Sequence, residues 1–598
     1  MLQPVSPKND LSPKRDMDQL QSRITFGVLA PFTIPVFRMI WLANLFANLG
    51  TWSQSVAAAW VVTEAQASAV VVAMIQVAAS VPLVLLSILS GVLADNYDRR
   101  KIMLVGLSIE FGGAAFLCVT AFLKVLDPYL LIAAILWITL GSALVVPAWQ
   151  AAVGEQVPRR LLGHAVILNS INFNTARAVG PALGGVMLSY FGASWVFLFN
   201  CCTYVALIVV LWRWHRDVPK RVLPPEHMLE GVMAAMRFTR NSSVTRLVML
   251  RSFLFGLSAS AIWALLPLLA RQQPNADARV YGMMLGALGI GAIAGGILSG
   301  QMRKLLGSSR LISVAGVLSG LVLLTLGTAS RLWILYLALV MGGIGWISAV
   351  ATYNTSVQML VPDWVKARAL ALYQTALFGG LAAGSFMWGH FAENQGVQMT
   401  LSMAGVMMLV FAAMLYSPAG LPELGPLGGS AGTARAESKP EPSGQPSFEF
   451  DPSRGAVMVT IDYRIPAERT RDFVRAVGEL RRLRLRNGAE RWSMYRDVDD
   501  KALWQEVLIV DNWLQHLRIL DRLTIDDKHI LDTVVCMHSD NGRPPVVHHG
   551  VSYESAARIE MSETATTGFT FSRRRLKPVV IAEAVQENSV AKSSVGGY

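Results

Sequence analysis

Charged residues are scarce in this 598-residue chain: they make up 15% of it, against about a quarter in soluble globular proteins. Cysteine is scarce as well, and the four cysteines show neither C-x-x-C spacing nor the density of a disulfide framework. The chain has no G-x-x-x-x-G-K-[ST] sequence, the phosphate-binding loop of many ATPases. These absences argue against an ordinary soluble domain, a zinc site and ATP-driven chemistry, and we expect neither a metal nor a cofactor.

Long hydrophobic runs take the place of the missing charge. A helix needs about 20 mainly apolar residues to cross the hydrocarbon of a bilayer. Runs of this kind lie near residues 38–62, 68–93, 102–123, 129–152, 164–190, 194–213, 246–270, 280–301, 310–328, 332–353, 367–391 and 398–417. Twelve consecutive buried helices of this apolarity would be unusual in a soluble protein. We therefore predict an all-α membrane protein with twelve transmembrane helices in two six-helix halves.

The polar stretches between and after these runs set the domain boundaries. We predict a cytoplasmic N-terminal segment, an N-terminal half, a cytoplasmic central loop, a C-terminal half, a Pro/Gly/Ser-rich flexible linker, a soluble domain and a disordered basic tail. In that order the segments are 1–36, 37–213, 214–245, 246–417, 418–452, 453–555 and 556–598.

The net charge of +12 does not indicate a nucleic-acid partner, because the basic residues cluster in short connectors between the apolar runs. Every second connector carries them, as do the N-terminal segment and the central loop, whereas "TEAQAS" and "YFGAS" carry none. Basic connectors stay on the cytoplasmic side of a membrane, where anionic lipid attracts them. We predict a multi-pass protein of the bacterial inner membrane with both termini in the cytoplasm.

The two predicted halves repeat each other at an offset of 204 residues. The register pairs Gly91 with Gly295, Gly141 with Gly345, Gly180 with Gly384, Gly185 with Gly389 and Gly192 with Gly396. A single glycine match is expected by chance in a chain with 49 glycines, but one register across several helices is not. A parallel duplication in a membrane transporter places the substrate path between the halves.

The stretch "GVLADNYDRR" after the second run resembles the loop 2–3 motif of the major facilitator superfamily, G-x-x-x-D-R/K-x-G-R/K-R/K. Its matching residues are Gly91, Asp95, Arg99 and Arg100, with Asn96 and Asp98 departing from the pattern. The resemblance covers residues 37–417. We predict a charge cluster that latches the cytoplasmic face; the alternative is a topology anchor that holds lipid phosphate.

The fifth run contains "ARAVGPALGG", which resembles the helix 5 motif of facilitator antiporters. Its residues are Arg177, Gly180, Pro181, Gly184 and Gly185. Small residues allow close helix packing, and proline favours a bend. Together with "NLGTW" in the first run, this stretch looks most like the secretion-effector branch, which includes enterobactin and macrolide exporters. The resemblance implies export rather than import.

Ionisable residues inside apolar runs are functional candidates, since a charge at membrane depth costs a few kcal/mol. Glu110 is the candidate carrier of a coupling proton, or a structural partner of Arg177. Arg177 has three possible roles: to neutralise an acidic substrate, to pair with Glu110 or to fix helix packing. The candidate cavity combines amide and aromatic side chains suited to a bulky amphipathic molecule: Asn44, Asn48, Trp52, Trp263, Tyr373 and Gln374.

The soluble domain is predicted as β-α-β-β-α, with one helix ending at Gly488 and a second over "WLQHLRILDRLTIDDKHILDTV". This order resembles the α+β, ferredoxin-like fold of the antibiotic-biosynthesis-monooxygenase type, with His516 at that family's histidine. A lone helical histidine is more often structural than catalytic. We therefore predict a dimerisation or regulatory module, through which the chain would form a homodimer, rather than an enzyme.

These features predict a secondary exporter of hydrophobic or amphipathic small molecules of the drug, macrolide or siderophore class. Its partners are the lipid bilayer, the substrate and the protons exchanged for it by alternating access. Two alternatives stay open from the sequence. The first is a bifunctional protein whose C-terminal domain is a cofactor-free monooxygenase, and the second is a sensor that binds a ligand without transporting it.

Overall fold

The computed structural model describes residues 29–158, 161–215, 228–274, 277–415, 450–540 and 543–552. The predicted linker and basic tail, and most of the predicted N-terminal segment, lie outside these residues. The membrane part consists of α1 (Pro35–Glu64), α2 (Ala69–Ala78), α3 (Val81–Asn96), α4 (Arg99–Phe122), α5 (Pro128–Gln156), α6 (Leu162–Phe191), α7 (Ala193–Arg213), α8 (Met228–Asn241), α9 (Ser243–Arg271), α10 (Ala278–Thr328), α11 (Leu332–Leu360), α12 (Asp363–Gln395) and α13 (Val397–Leu415). Within the described residues, nine helices are long and apolar enough to cross a membrane.

Two predicted helix boundaries need correction. The second predicted span is divided into α2 and α3 at Ala79 and Ser80. Pro82 lies in the first turn of α3, and the helix is interrupted there because proline has no N–H to continue the hydrogen bonding of the preceding helix. The eighth and ninth predicted spans join in α10 across a kink at Gly307, whose φ of 77° is left-handed. Glycine reaches this conformation without the steric cost that a Cβ atom would add.

The paired glycines of the repeat make corresponding contacts. A Cβ atom on Gly180 of α6 would lie 2.6 Å from Cβ of Trp52 in α1, and Gly384 of α12 abuts Leu257 in α9. Gly185 faces Gly282 of the other half, and Gly389 likewise faces residues of α2, in the other half. In each half, one of these glycines thus contacts a helix of the same half and the other contacts a helix of the opposite half, as a duplication predicts.

Residues 214–245 are predicted to form a cytoplasmic central loop, and the structure has helix α8 within this segment. The helix is amphipathic, and its Phe238 is buried with 2% exposure. It packs against α3, α9 and α12 of the membrane part and also against the soluble domain. We call the membrane face that carries α8 the α8 face, and the face with residues 65–68 and 272–274 the opposite face.

The soluble domain has four antiparallel strands, β1 (Val457–Arg464), β2 (Arg491–Arg496), β3 (Leu503–Val510) and β4 (Val546–Val551), in the order β2-β3-β1-β4. Central strand β1 pairs Val457 with Val510 of β3 and with Val551 of β4. Alternate β1 side chains are buried and form a core with Phe473 and Leu480. Those two residues come from α14 (Thr470–Asn487).

The helix α14 ends at Gly488, as predicted, with a φ of 128°. The predicted second helix is instead two helices, α15 (Trp513–Asp521) and α16 (Ile525–Val535). Thr524 separates them by forming a capping box with Asp527. A threonine that caps the N–H groups of the next helix starts that helix anew, and this T-x-x-D signal was overlooked in the sequence.

Candidate functional site

Arg177 lies in the middle of α6 with 7% exposure. Its guanidinium carbon is 5.7 Å from the ring centre of Trp52, 5.4 Å from that of Trp263 and 5.9 Å from that of Trp346. Trp52 belongs to α1 of the N-terminal half, whereas the other two belong to α9 and α11 of the C-terminal half. The fold therefore gathers groups from both halves around one buried cation.

Helix α6 can approach both halves because of its antiporter-like motif. A Cβ atom on Gly184 would lie 2.6 Å from Cα of Ser53 in α1, and one on Gly185 would lie 2.7 Å from the carbonyl oxygen of Ala278 in α10. Gly282 in turn abuts the carbonyl oxygen of Pro181. We call this contact between Pro181, Gly185, Ala278 and Gly282 the α6–α10 seam. It joins the two halves through backbone rather than long side chains.

The polar residues of α1 fix helix packing. Asn48 donates from Nδ2 to Oδ1 of Asn172 at 3.0 Å, and Gln54 accepts from Asn200 at 2.7 Å. The hydroxyl of Ser53 donates to the carbonyl oxygen of Gly180 at 2.9 Å. Of the predicted cavity group on this helix, only Trp52 contacts Arg177; Asn48 binds α6, and Asn44 is partly buried.

An aromatic row extends from the arginine into the C-terminal half. Trp263 contacts Trp346 at 5.8 Å between ring centres, and Trp346 contacts Phe255 at 5.7 Å. The row continues through Tyr353 to Tyr373. Tyr373 is buried and donates its hydroxyl hydrogen to the carbonyl oxygen of Val350 at 3.2 Å, so it closes the row as a packing residue. Gln374, next to it in α12, is partly buried.

Glu110 belongs to a separate cluster in the N-terminal half. It is 6% exposed, and Gly141 of α5 packs against its side chain. The hydroxyls of Ser142 and Tyr204 face the carboxylate, and the Tyr204 hydroxyl lies 3.1 Å from that of Thr51 in α1. The contacts of Glu110 are thus made to hydroxyl groups of its own half, and the described residues contain no ion pair between Glu110 and Arg177.

The loop motif between α3 and α4 ties helices of one half together. Arg99 forms an ion pair with Glu155 at 2.8 Å and donates to the carbonyl oxygen of Ala151, both in α5. Arg100 donates to the carbonyl oxygens of Leu211 and Trp212 at the end of α7, where a cation also complements the helix dipole. Gly91 and Asp95 lie in α3, and the side chain of Asp95 is outside the described structure. These contacts hold α4 against α5 and α7, and both the latch and the topology anchor stay predictions.

At the opposite face, several polar and aromatic contacts join the halves. Arg279 stacks on Tyr190 at 4.3 Å and donates to the hydroxyl of Ser189 at 2.9 Å. Arg271 donates to the carbonyl oxygen of Thr63 at 2.8 Å. The structure therefore has the two halves in contact at the opposite face.

The soluble domain contains a buried polar group and a buried histidine pair. Glu506, fully buried in β3, accepts from Arg484 at 2.9 Å, Tyr463 at 2.9 Å and Trp492 at 2.8 Å. His516 is 4% exposed and lies 4.9 Å from the ring of His549. Burial, and secondarily the charge of His549, lower the pKa of His516 to about 4. This imidazole is neutral at physiological pH.

Comparison with known proteins adds the family. Residues 26–557 match the family described as transmembrane secretion effector, so the match continues through the soluble domain. The chain is 23% identical over 377 residues to the Staphyloferrin A transporter of Staphylococcus aureus, which covers 62% of this chain and 92% of that protein. It is 28% identical over 335 residues to the Enterobactin exporter EntS of Citrobacter koseri, covering 54% and 77% respectively.

Solved structures agree on the fold of the membrane part. The nucleoside transporter NupG superposes with a TM-score of 0.52 at 13% identity and covers 64% of this chain and 98% of its own. A bacterial homologue of the human lysosomal transporter Spinster gives a TM-score of 0.51 at 14% identity, with 64% and 95% coverage. The chain is a multi-pass membrane transporter that belongs to the transmembrane secretion effector family of the major facilitator superfamily.

Proposed function

We propose that this protein exports small organic molecules of the siderophore, macrolide or drug class across the bacterial inner membrane by alternating access. The observation that carries the proposal is the α6–α10 seam, where the halves meet through Gly185 and Gly282. A backbone contact without interlocking side chains lets one half rock against the other. The relatives that transport staphyloferrin A and export enterobactin support export of molecules of this kind.

The proposed transporter crosses the membrane twelve times. Helices α1 and α6 have 30 residues each, which is enough to span a bilayer, and Gly307 divides the 51-residue α10 into two spans. Together with the other apolar helices, these spans give six membrane crossings in each half. The basic residues Arg99, Arg100 and Arg240 lie at or near the α8 face, which supports the cytoplasm as the location of that face and of both termini. The structure then represents a state closed toward the outside.

Proton coupling is proposed to run through Glu110. Its carboxyl group is the ionisable end of a hydroxyl series that continues through Tyr204 to Thr51, and Thr51 precedes Trp52 in α1. A proton gained or lost at Glu110 would change the hydrogen bonding of α1, the helix that also contacts Arg177. This arrangement links the proton site to the tryptophans through a single helix.

Transport in everted membrane vesicles with an imposed proton gradient tests the proposal. Siderophores, macrolides and dyes serve as the substrate panel. We expect gradient-driven uptake by the natural sequence, its loss in Glu110→Gln with binding retained, and no change in Glu393→Gln, an exposed acid in α12. Uptake that survives Glu110→Gln would contradict the proton site, and a failure to move any compound would contradict export.

The C-terminal domain is proposed to regulate transport rather than to catalyse a reaction. Its α14 packs on α8, where the guanidinium of Arg486 lies 5.9 Å from the ring of Phe238 and Asp511 lies 4.0 Å from Arg237. Because α8 also contacts helices of both halves, docking of the domain and movement of the halves are mechanically connected. The resemblance to monooxygenases then concerns the fold, and His516 is a packing residue.

A further inference from the structure

The surroundings of Arg177 identify a chemical class of substrate, an inference that rests on the proposed export function. The guanidinium is nine-tenths buried, and among the residues that the structure describes no carboxylate forms an ion pair with it. Its Nε–H has no hydrogen-bond partner. Three indoles hold the cation, and a ring face offers negative potential but accepts no strong hydrogen bond. The described residues therefore supply no counter-ion for this cation.

A buried, unpaired cation is costly, and the tryptophans offset only part of that cost. The close backbone contacts of α6 with α10 are made at Ala178, Pro181 and Gly185, and they do not involve the Arg177 guanidinium. Each of the three indoles is only partly buried. Ring surface thus remains beside the guanidinium for a further group to cover.

We infer that Arg177 and the tryptophans bind an organic anion that carries an aromatic or otherwise flat apolar body. A carboxylate or phenolate would accept from the guanidinium N–H groups, which favour such oxygens with charge-assisted hydrogen bonds. The apolar body would cover the indoles. Since Trp52 belongs to one half and Trp263 and Trp346 to the other, this ligand contacts both halves at once, as a transported substrate must.

The test compares a charged ligand with its neutral analogue. The purified full chain in lipid nanodiscs is titrated with 1-naphthoate and with 1-naphthylmethanol, and binding is followed by equilibrium dialysis. We expect the natural sequence to bind naphthoate about ten-fold or more tightly, the preference that one charge-assisted hydrogen bond provides. Arg177→Gln should remove the preference, and Arg177→Lys should keep part of it. Arg251→Gln, at a second buried arginine in α9, should keep all of it.

Equal binding of acid and alcohol by the natural sequence would overturn the inference, and that measurement requires no variant to fold. A preference for the acid that persists in Arg177→Gln would overturn the role of Arg177. Trp346→Leu should weaken the binding of both ligands, because it removes ring surface without removing charge. Unchanged binding of both ligands would show that the indole of Trp346 does not contact them. If export by vesicles is intact while naphthoate shows no preference, the substrate class fails and the exporter function stands.

Discussion

Two adjacent glycines of α6 are expected to respond in opposite ways to the same added methyl group. A Cβ atom on Gly185 would lie 2.7 Å from the carbonyl oxygen of Ala278 and 3.1 Å from Cα of Gly282, both in the other half. A Cβ atom on Gly184 would lie 2.6 Å from Cα of Ser53, in the same half. Ordinary contacts begin near 3.4 Å, so each alanine forces backbone apart.

The magnitude follows from the cost of overpacking, which is about 1–3 kcal/mol. In Gly185→Ala, separation of the halves relieves this strain, so the equilibrium between states closed and open at the opposite face should shift by about 5- to 150-fold toward the open state. In Gly184→Ala the halves can separate without relieving the clash. The strain should then appear as lower stability of the N-terminal half.

Electron-electron distance measurements distinguish the two outcomes. Spin labels at Ala65 and Ser330, exposed residues in connectors of the opposite face, are introduced after replacement of the four native cysteines. Gly185→Ala should add a longer distance, and Gly184→Ala should keep the original distribution while lowering the unfolding temperature. The same lengthening in both variants, or none in a stably folded Gly185→Ala, would refute the assignment of the seam as the moving contact.

Three further predictions concern the soluble domain and its docking. Glu506→Gln should speed hydrogen exchange of the β1 and β3 amides by about 150- to 5,000-fold, because it leaves the charge of the buried Arg484 uncompensated at a cost of about 3–5 kcal/mol. Asp462→Asn, at a partly buried acid of β1, is the control, and a smaller than ten-fold effect of Glu506→Gln would contradict the role of the ion pair. The pKa of His516 falls from 6.5 to about 4 on folding, so the unfolded chain takes up more protons between these values and the domain should lose about 3 kcal/mol as pH falls from 6.5 to 4. In His516→Leu, hydrogen exchange corrected for its intrinsic pH dependence should show a smaller loss of stability over this pH range. A loss equal to that of the natural sequence would mean that another group causes it. Phe238→Ala should release α14 from α8, seen as faster exchange in α14 and altered transport rate; exchange that stays at the natural level would contradict docking through Phe238.

The elements that could be predicted from the sequence are those set by local physics. Hydrophobic runs located the spanning helices, and Gly488 marked the end of α14, because burial and chain conformation act within a few residues. The break at Ser80 and the continuous kinked α10 could not be read from hydropathy, since both depend on backbone geometry inside apolar sequence. Helix α8 could not be predicted from hydropathy, because it is amphipathic and, with 14 residues, too short for a membrane span.

The site could be predicted only in parts. Arg177, Trp52 and Trp263 were candidates because polar or aromatic groups stand out in apolar runs, yet their contact depends on three helices from two halves. Trp346 was overlooked because nothing in its run distinguishes it from an interfacial tryptophan. The pairing of Glu110 with Arg177 was open from the sequence, and the structure separates them because their helices present these residues to different neighbours.

The internal repeat distinguishes the scaffold from the site. At the offset of 204 residues, Gly180 and Gly185 recur as glycines, but Arg177 falls on Leu381 and Glu110 falls on Val314. Packing between and within halves is therefore duplicated, whereas each of these two intramembrane ionisable groups has an apolar counterpart.

A symmetric seam suits a rocking motion, since both halves must move alike. The proposed anion site and the proposed proton site use one cation and one carboxyl group, Arg177 and Glu110, both in the N-terminal half. We therefore expect the C-terminal half to contribute tryptophan and glycine surfaces to the site. Introducing Leu381→Arg should then create a second buried cation without a ring cage, and should impair folding rather than add a second binding site, as measured by yield of folded protein and naphthoate stoichiometry.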